Sequence, residues 1–335
     1  VSQPQVLLPI AVDPAALTDY PTDRDQLIHR EVVTTLGAHG ILTLPGADRE
    51  ALFRALAGLG DLSRKLWEAQ IHSLYDLNRL DQLPGAMSVG DRLRQNGNVH
   101  DDQVDVRVFV ATRAVAEQHG VDDTSGYTTI DDSDVVIPST IHRSPAVVAA
   151  REVGLFPMGK TRRSAVVNSF IRPLAVRSSG VKLLDPHILE GIISGNSTTR
   201  HAEWLVQTLA NTMPANSSLS ILGKLQRDWQ PADRSGHEAL IEEFLSKSLG
   251  KRVLPMRIEV RLLKSTALRD RFIWFSSGHS FDVLHNFTAL SSEVLNDNLR
   301  FIRHDDGLAQ QTLQTAEAME NNTQPTMVSV TRVIS

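Results

Sequence analysis

Two arginines separated by one residue open the run Arg269-Asp270-Arg271-Phe272-Ile273-Trp274-Phe275. On an extended backbone this spacing projects both side chains to one side. Guanidinium groups are permanently charged and present N–H donors in a planar fork, so such a pair is suited to holding the oxygens of a phosphate. Just downstream, Gly278-His279-Ser280 combines a turn residue, an imidazole and a hydroxyl, the parts of a hydrogen-bonding turn with a candidate nucleophile or general base. His285 shortly afterwards, and His187 directly after Asp185-Pro186, offer further imidazoles.

A second pattern with phosphate chemistry runs from Gly154 to Thr161. It fits the spacing Gly-x-x-x-x-Gly-Lys-Thr, which makes Lys160 a phosphate-binding candidate. A nucleotide-binding loop follows a buried strand, however, and the preceding Ala146 to Val153 reads as a helix. Phe156, Pro157 and Met158 would also crowd a backbone cradle. The carboxylates of Asp101, Asp102, Asp105, Asp131, Asp132 and Asp134 are the donor type a hard cation takes. They lack the Asp-x-Asp-x-Asp-Gly spacing of a calcium loop, and neither a metal nor a cofactor is assigned. Basic side chains gather at Lys160, Arg162 and Arg163, and along Arg257, Arg261, Lys264, Arg269 and Arg271.

The segment from Leu268 to Asp282 resembles the phospholipase D superfamily, in the form common among bacterial nuclease and defence-associated proteins. There a His-Asp-Arg-Phe start leads into a strand and then a Gly-x-Ser turn. Val181 to Leu184, ending in Asp185-Pro186-His187, is similar to the strand that opens such domains, and the likeness spans about residues 165–320. It implies an imidazole that attacks phosphorus, a basic side chain two positions on that neutralises the phosphoryl oxygens, and a turn that adds hydrogen-bond donors. Carried over, Arg271 takes the phosphate-binding position, Gly278 and Ser280 the turn, and Asp185 a supporting place. Arg269 stands where the nucleophilic histidine would be, and Ser276 where an acidic residue is often found. Arginine stays protonated and cannot attack phosphorus. The resemblance therefore implies a degenerate phosphate- or nucleic-acid-binding subunit of a defence or DNA-processing system. If His279 supplies the missing imidazole, it implies instead an active metal-independent phosphodiesterase, completed by a second copy. A nucleotide-binding protein built on Lys160 and a protein–protein scaffold remain as alternatives.

The elements that must position these residues follow from apolar periodicity. Val32 to Leu44 reads as a helix leading into a buried strand, and Asp48 as the cap of a helical stretch with Leu52, Leu56, Leu59, Leu62, Leu66 and Trp67 on one face. Strands are expected at Val106–Thr112 and Val135–Ile137, and Pro145 starts a helix. Further on, strands at Val181–Leu184, Leu219–Leu222, Val253–Leu263, Arg271–Phe275 and Leu299–Arg303 alternate with helices at Ala202–Thr212, His237–Leu249 and Leu308–Met319. This alternation predicts a largely parallel sheet, with a ligand site beyond the carboxyl ends of its strands. The expected fold is α/β: a mixed, mainly helical domain over 1–150 and a phospholipase D-like sheet flanked by helices over 151–335.

With 335 residues, 41% of them hydrophobic and 22% charged, the chain has the makings of a well-buried core. It contains no cysteine, which excludes disulfides, thiol nucleophiles and thiolate zinc sites and fits a reducing cytoplasm. No apolar run is long enough to span a bilayer. A net charge of −5 means that any nucleic-acid partner must be met by a local basic surface. Other protein subunits or a homodimer are the remaining expected partners.

Overall fold

A computed structural model describes residues 5–22, 25–95, 105–189, 200–225, 233–249, 254–263, 271–284, 287–303 and 328–334. The chain divides into two compact units, Val1–Val153 and Gly154–Ser335.

The first unit is built on a six-stranded sheet of β1 (Leu8–Val12), β2 (Gly40–Pro45), β3 (Leu80–Leu83), β4 (Val108–Val110), β5 (Tyr127–Ile130) and β6 (Ser133–Val136), in the order β3-β2-β1-β4-β6-β5. All neighbours pair in parallel except β5 with β6. Its helices are α1 (Pro14–Thr18), α2 (Gln26–His39), α3 (Gly46–Ala57), α4 (Asp61–Asp76), α5 (Val89–Arg94), α6 (Arg113–Gln118) and α7 (Pro145–Glu152). Alternate residues of β1 feed two cores. Leu8, Ile10 and Val12 join Leu36, Leu42, Trp67 and Leu74 on one side, and Ala11 joins Phe109, Val135 and Ile137 on the other. The mainly helical domain expected here is therefore a largely parallel α/β unit. β1 escapes a periodicity reading because a strand covered on both faces has no polar alternation to reveal it.

The long helical stretch after Asp48 is in fact two helices, separated around Gly58 and Gly60. The break resets the helical phase, and Leu62, expected in the core, is 53% exposed. Asp48 is not a cap. It lies inside the first turn of α3, is 4% exposed, and accepts a hydrogen bond of 2.8 Å from the Val89 amide. Burial pushes its carboxyl up to about 6, and the nearby Asp13 and Asp91 push the same way against the Val89 amide. An acid with a raised folded pKa holds a proton that the unfolded chain has already released, so stability falls as pH climbs from about 4 to about 6. Asp48→Asn should remove that fall and raise stability at pH 7 by about 2 kcal/mol, read from urea unfolding across this pH range. A variant that keeps the parent's pH slope would refute the assignment.

The second unit holds β7 (Leu155–Phe156), β8 (Gly180–Leu184), β9 (Ser217–Lys224), β10 (Met256–Leu263), β11 (Phe272–Phe275), β12 (His279–Leu284), β13 (Leu299–Arg303) and β14 (Val328–Ile334). They form one sheet in the order β14-β10-β9-β8-β11-β12-β13-β7. Only β8, β9 and β10 run parallel, and the other pairings are antiparallel, so this sheet is mixed rather than largely parallel. Helical segments α8 (Arg163–Val166) and α9 (Arg172–Ala175) are joined by a π turn at Val167–Ile171, and α10 (Arg200–Thr212) and α11 (Arg234–Leu249) follow. The π turn carries Phe170, whose ring stacks on Phe301 at 4.0 Å and meets Phe281 at 4.6 Å, sealing β12 and β13. The helix expected over 308–319 lies outside the described residues. No helix among the described residues is long and apolar enough to cross a membrane.

Candidate anion-binding site

β8 buries Val181, Leu183 and Leu184, and Asp185 leaves the sheet at its end. The Asp185 amide extends the parallel pairing by donating to the Leu222 carbonyl at 3.0 Å, and its Oδ1 accepts from the His187 amide at 2.9 Å. That local bond is the Asx turn expected of an aspartate before a reversal. β11 pairs antiparallel to β8 with Phe272 opposite Leu184, so Arg271 emerges beside Asp185. Arg271 Nε lies 3.4 Å from Asp185 Oδ1, with the arginine side chain 25% exposed and the aspartate 2%. This Nε has no hydrogen-bond partner among the described residues. Two imidazoles stand within electrostatic reach of the carboxylate: His187 on the turn and His201, 5% exposed, at the start of α10. Burial pushes the Asp185 carboxyl up, while the His187 amide, the Arg271 guanidinium and both imidazoles pull it down.

One carboxylate, one guanidinium and two imidazoles thus gather at the carboxyl end of the strand at which β9 and β11, one parallel and one antiparallel, meet. Chemically the set offers a guanidinium to an anion and brings a carboxylate and two imidazoles, side chains of the acid–base type, close to it. The sequence pointed to Asp185, Arg271 and His187 but missed His201. The one signal for it was a histidine in the first turn of an amphipathic helix.

The other expected site residues lie elsewhere. Arg269 and His285 fall outside the described residues, as do Lys264, Asp101 and Asp102. Gly278 has φ +87° and closes the tight turn from β11 into β12, its amide donating to the Phe275 carbonyl at 3.1 Å. A left-handed backbone there suits glycine. His279 pairs with Phe275 and Ser280 with Trp274, at the far end of β11 from Arg271. Four strand residues separate the two ends by about 13 Å. The expectation that His279 shares a site with Arg271 is thereby corrected. His279 is 1% exposed, its Nδ1 is 3.2 Å from the Ser277 carbonyl, and its ring lies parallel to Phe281 at 6.2 Å. Ser280 and Gly278 are corrected with it, because the hairpin carries them away from the phosphate-binding position. The turn's hydroxyls serve the fold: Ser276 Oγ accepts from the Gly180 amide at 3.0 Å, and Ser178 donates to Ser277 at 3.1 Å.

Lys160 sits on an exposed turn after β7, at the sheet edge. Four strand spacings separate β7 from β8, roughly 19 Å. The segment does not form a phosphate cradle, because its amides are already used. Met158 donates to Asn298 Oδ1 at 3.0 Å, Gly159 to the Leu295 carbonyl at 2.9 Å and Thr161 to the Pro157 carbonyl at 3.2 Å. The preceding element is α7 rather than a strand, and the helix beyond, α8, has only four residues. Gly154 is required by pairing instead: at φ +142° a Cβ would stand 2.7 Å from the Phe301 carbonyl oxygen. Arg163, from the same basic cluster, lies 4.6 Å over the Trp204 ring and 3.5 Å from Glu293. On β10, Arg257 and Arg261 flank Glu259 at 4.0 and 2.7 Å.

In the first unit Asp134 accepts from Ser144 Oγ at 2.5 Å and the Ala146 amide at 2.8 Å, anchoring the start of α7. Asp13 caps α1, and Asp91 pairs with Ser88 and Arg94. Among the described residues no three histidine or acidic side chains are grouped to hold a metal ion. Comparison with models of known protein families and with curated proteins finds no match to this chain.

Proposed function

We propose that residues 154–335 form a phospholipase D-like domain that grips phosphate groups of a nucleic acid at Arg271, acting as a binding subunit rather than a hydrolase. One observation carries the reading. At the rim of the sheet the Arg271 guanidinium turns a buried Nε toward the nearly buried Asp185 carboxylate at 3.4 Å while its side chain stays 25% exposed. The outer N–H groups of such a fork suit the charge and lone pairs of a phosphate oxygen. In this reading Arg271 supplies the local positive charge that a chain of net charge −5 needs. The sequence likeness to bacterial defence proteins supplies the setting: a cytoplasmic protein working as a homodimer or with other subunits.

Metal-independent phosphodiester cleavage is the second reading. It is favoured by His201, whose buried imidazole completes a carboxylate–guanidinium–imidazole set. Fluorescent single- and double-stranded DNA and RNA, titrated with a chelator present, should bind with an affinity that falls at least tenfold between roughly 50 and 200 mM salt. Cleavage that persists in chelator and disappears in His201→Ala would select the second reading. Failure of all four oligonucleotides to bind at low salt would remove both.

A further inference from the structure

The first unit contains a cavity of about 590 Å³ lined by α3, α4 and the strands β2 and β3. Its size lies inside the range of small-molecule sites, roughly 300–1,000 Å³. The apolar lining includes Leu44, Leu52 and Leu56, all buried core residues, together with Leu80. Two aromatic rings line the same space, and both are largely exposed: Phe53 at 57% and Tyr75 at 67%. Two large exposed rings over an apolar floor mark a surface that gains from a ligand covering it.

The charges around the cavity narrow what that ligand is. Arg64 is held by Asp61 at 2.7 Å and approached by Glu68 at 3.9 Å, and His72 Nε2 lies 3.4 Å from Asp76, so Arg64 is already engaged by carboxylates. Arg49 on α3 and Lys65 on α4 also line the cavity. Among the described residues neither has a hydrogen-bond or ion-pair partner. An apolar cavity with two cations that have no ion-pair partner is complementary to a molecule that is apolar along its body and negative at one end.

We propose that this cavity binds a small amphipathic organic anion. Its apolar body, a ring system or a short acyl chain, lies against Leu44, Leu52 and Leu56 and the rings of Phe53 and Tyr75. Its phosphate, sulfonate or carboxylate is held by Arg49 and Lys65. The proposal uses no residue of the Asp185–Arg271 site and stands or falls apart from it.

The probe is anilinonaphthalene sulfonate, an aromatic anion whose emission rises in an apolar site. Titration of the full chain should show one site per chain. Affinity should fall at least tenfold in the Arg49→Ala/Lys65→Ala double variant, whose substitutions lie on exposed or rim positions. The neutral phenylnaphthylamine should bind at least tenfold more weakly than the sulfonate. Ala57 is an exposed residue of α3 that lines the cavity, so Ala57→Trp should block the dye by filling it, with circular dichroism unchanged. Adenosine monophosphate and decanoate then distinguish the sources: displacement by the first marks a heteroaromatic phosphate, and by the second an acyl carboxylate. Unchanged dye affinity in both variants, or displacement by neither competitor, overturns the proposal.

Discussion

Replacing Arg79 with alanine should destabilise the first unit by about 4 kcal/mol and lower its melting temperature by roughly 10 °C. The side chain is 1% exposed and sits between α4 and β3. Its Nε donates to the Gly40 carbonyl at 3.0 Å, Nη1 to Gly37 at 3.0 Å and Nη2 to Leu36 at 2.6 Å. These carbonyls belong to the last turn of α2 and the first residue of β2, where a helix ends without partners of its own. One guanidinium therefore closes α2, meets the negative end of its dipole, and fixes the entry into β2. The Arg79 carbonyl adds to this by accepting from the Leu42 amide at 2.9 Å. Burying a cation is unfavourable, but here it meets several carbonyls, and truncation leaves them dry and unpaired. Arg79→Lys should recover less than half of the loss, because an ammonium cannot reproduce the planar fork. Denaturant unfolding followed by circular dichroism measures both variants. A loss below about 1 kcal/mol for alanine would show that water replaces the guanidinium.

Arg271→Ala should have two effects that separate with pH. Oligonucleotide affinity should drop about tenfold or more, and the slope of log affinity against log salt should shrink by about one phosphate contact. Stability should change as well, because Asp185 loses the cation that draws its carboxyl down. The aspartate's folded pKa already lies above its ordinary 3.8 through burial. The sign follows: stability is lost as pH rises from the unfolded value through the folded one, and the variant loses more, over a window reaching further up in pH. Below the ordinary 3.8, where the carboxyl is neutral in both, the variant should resemble the parent. At pH 8 it should be weaker by about 2 kcal/mol, the penalty of a buried charge without its partner, reduced because the arginine is partly solvated. Asp185→Asn added to Arg271→Ala should restore most of the stability and none of the binding. Recovery of binding in the double variant would place the phosphate contact elsewhere.

Much of the architecture could be read from the chain, and the reasons for the failures are specific. β8, β9, β10, β11 and β13 were visible as short apolar runs bounded by breakers, and α2 and α11 as periodic faces. Their mutual directions were not visible. Alternation of strands with helices suggested parallel pairing, but the short turn Ser276-Ser277-Gly278 makes β11 and β12 an antiparallel hairpin. That misreading displaced the site. A two-residue spacing plus a Gly-x-Ser signature put His279 and Ser280 beside Arg271, whereas the hairpin sends them to the other end of the strand. Asp185 and Arg271 are neighbours only through the register Phe272↔Leu184, a long-range pairing that no local pattern encodes. Arg79 was invisible for a related reason: in the polar stretch Asn78-Arg79-Leu80-Asp81 it looks like a surface charge, and only the placement of α2 buries it.

The second sheet has a temporal consequence. Among its described strands, β7 lies at one edge and β14 at the other, although they are the first and last of that unit to be synthesised. Residues 328–334 must leave the ribosome before β10 acquires its outer neighbour. Until then β10 exposes the backbone groups that later pair from Met256 to Leu262, a template to which other nascent chains can add. Contacts this distant in sequence also slow the closing step. Refolding of the second unit should therefore trail that of the first, and β14 should dock last.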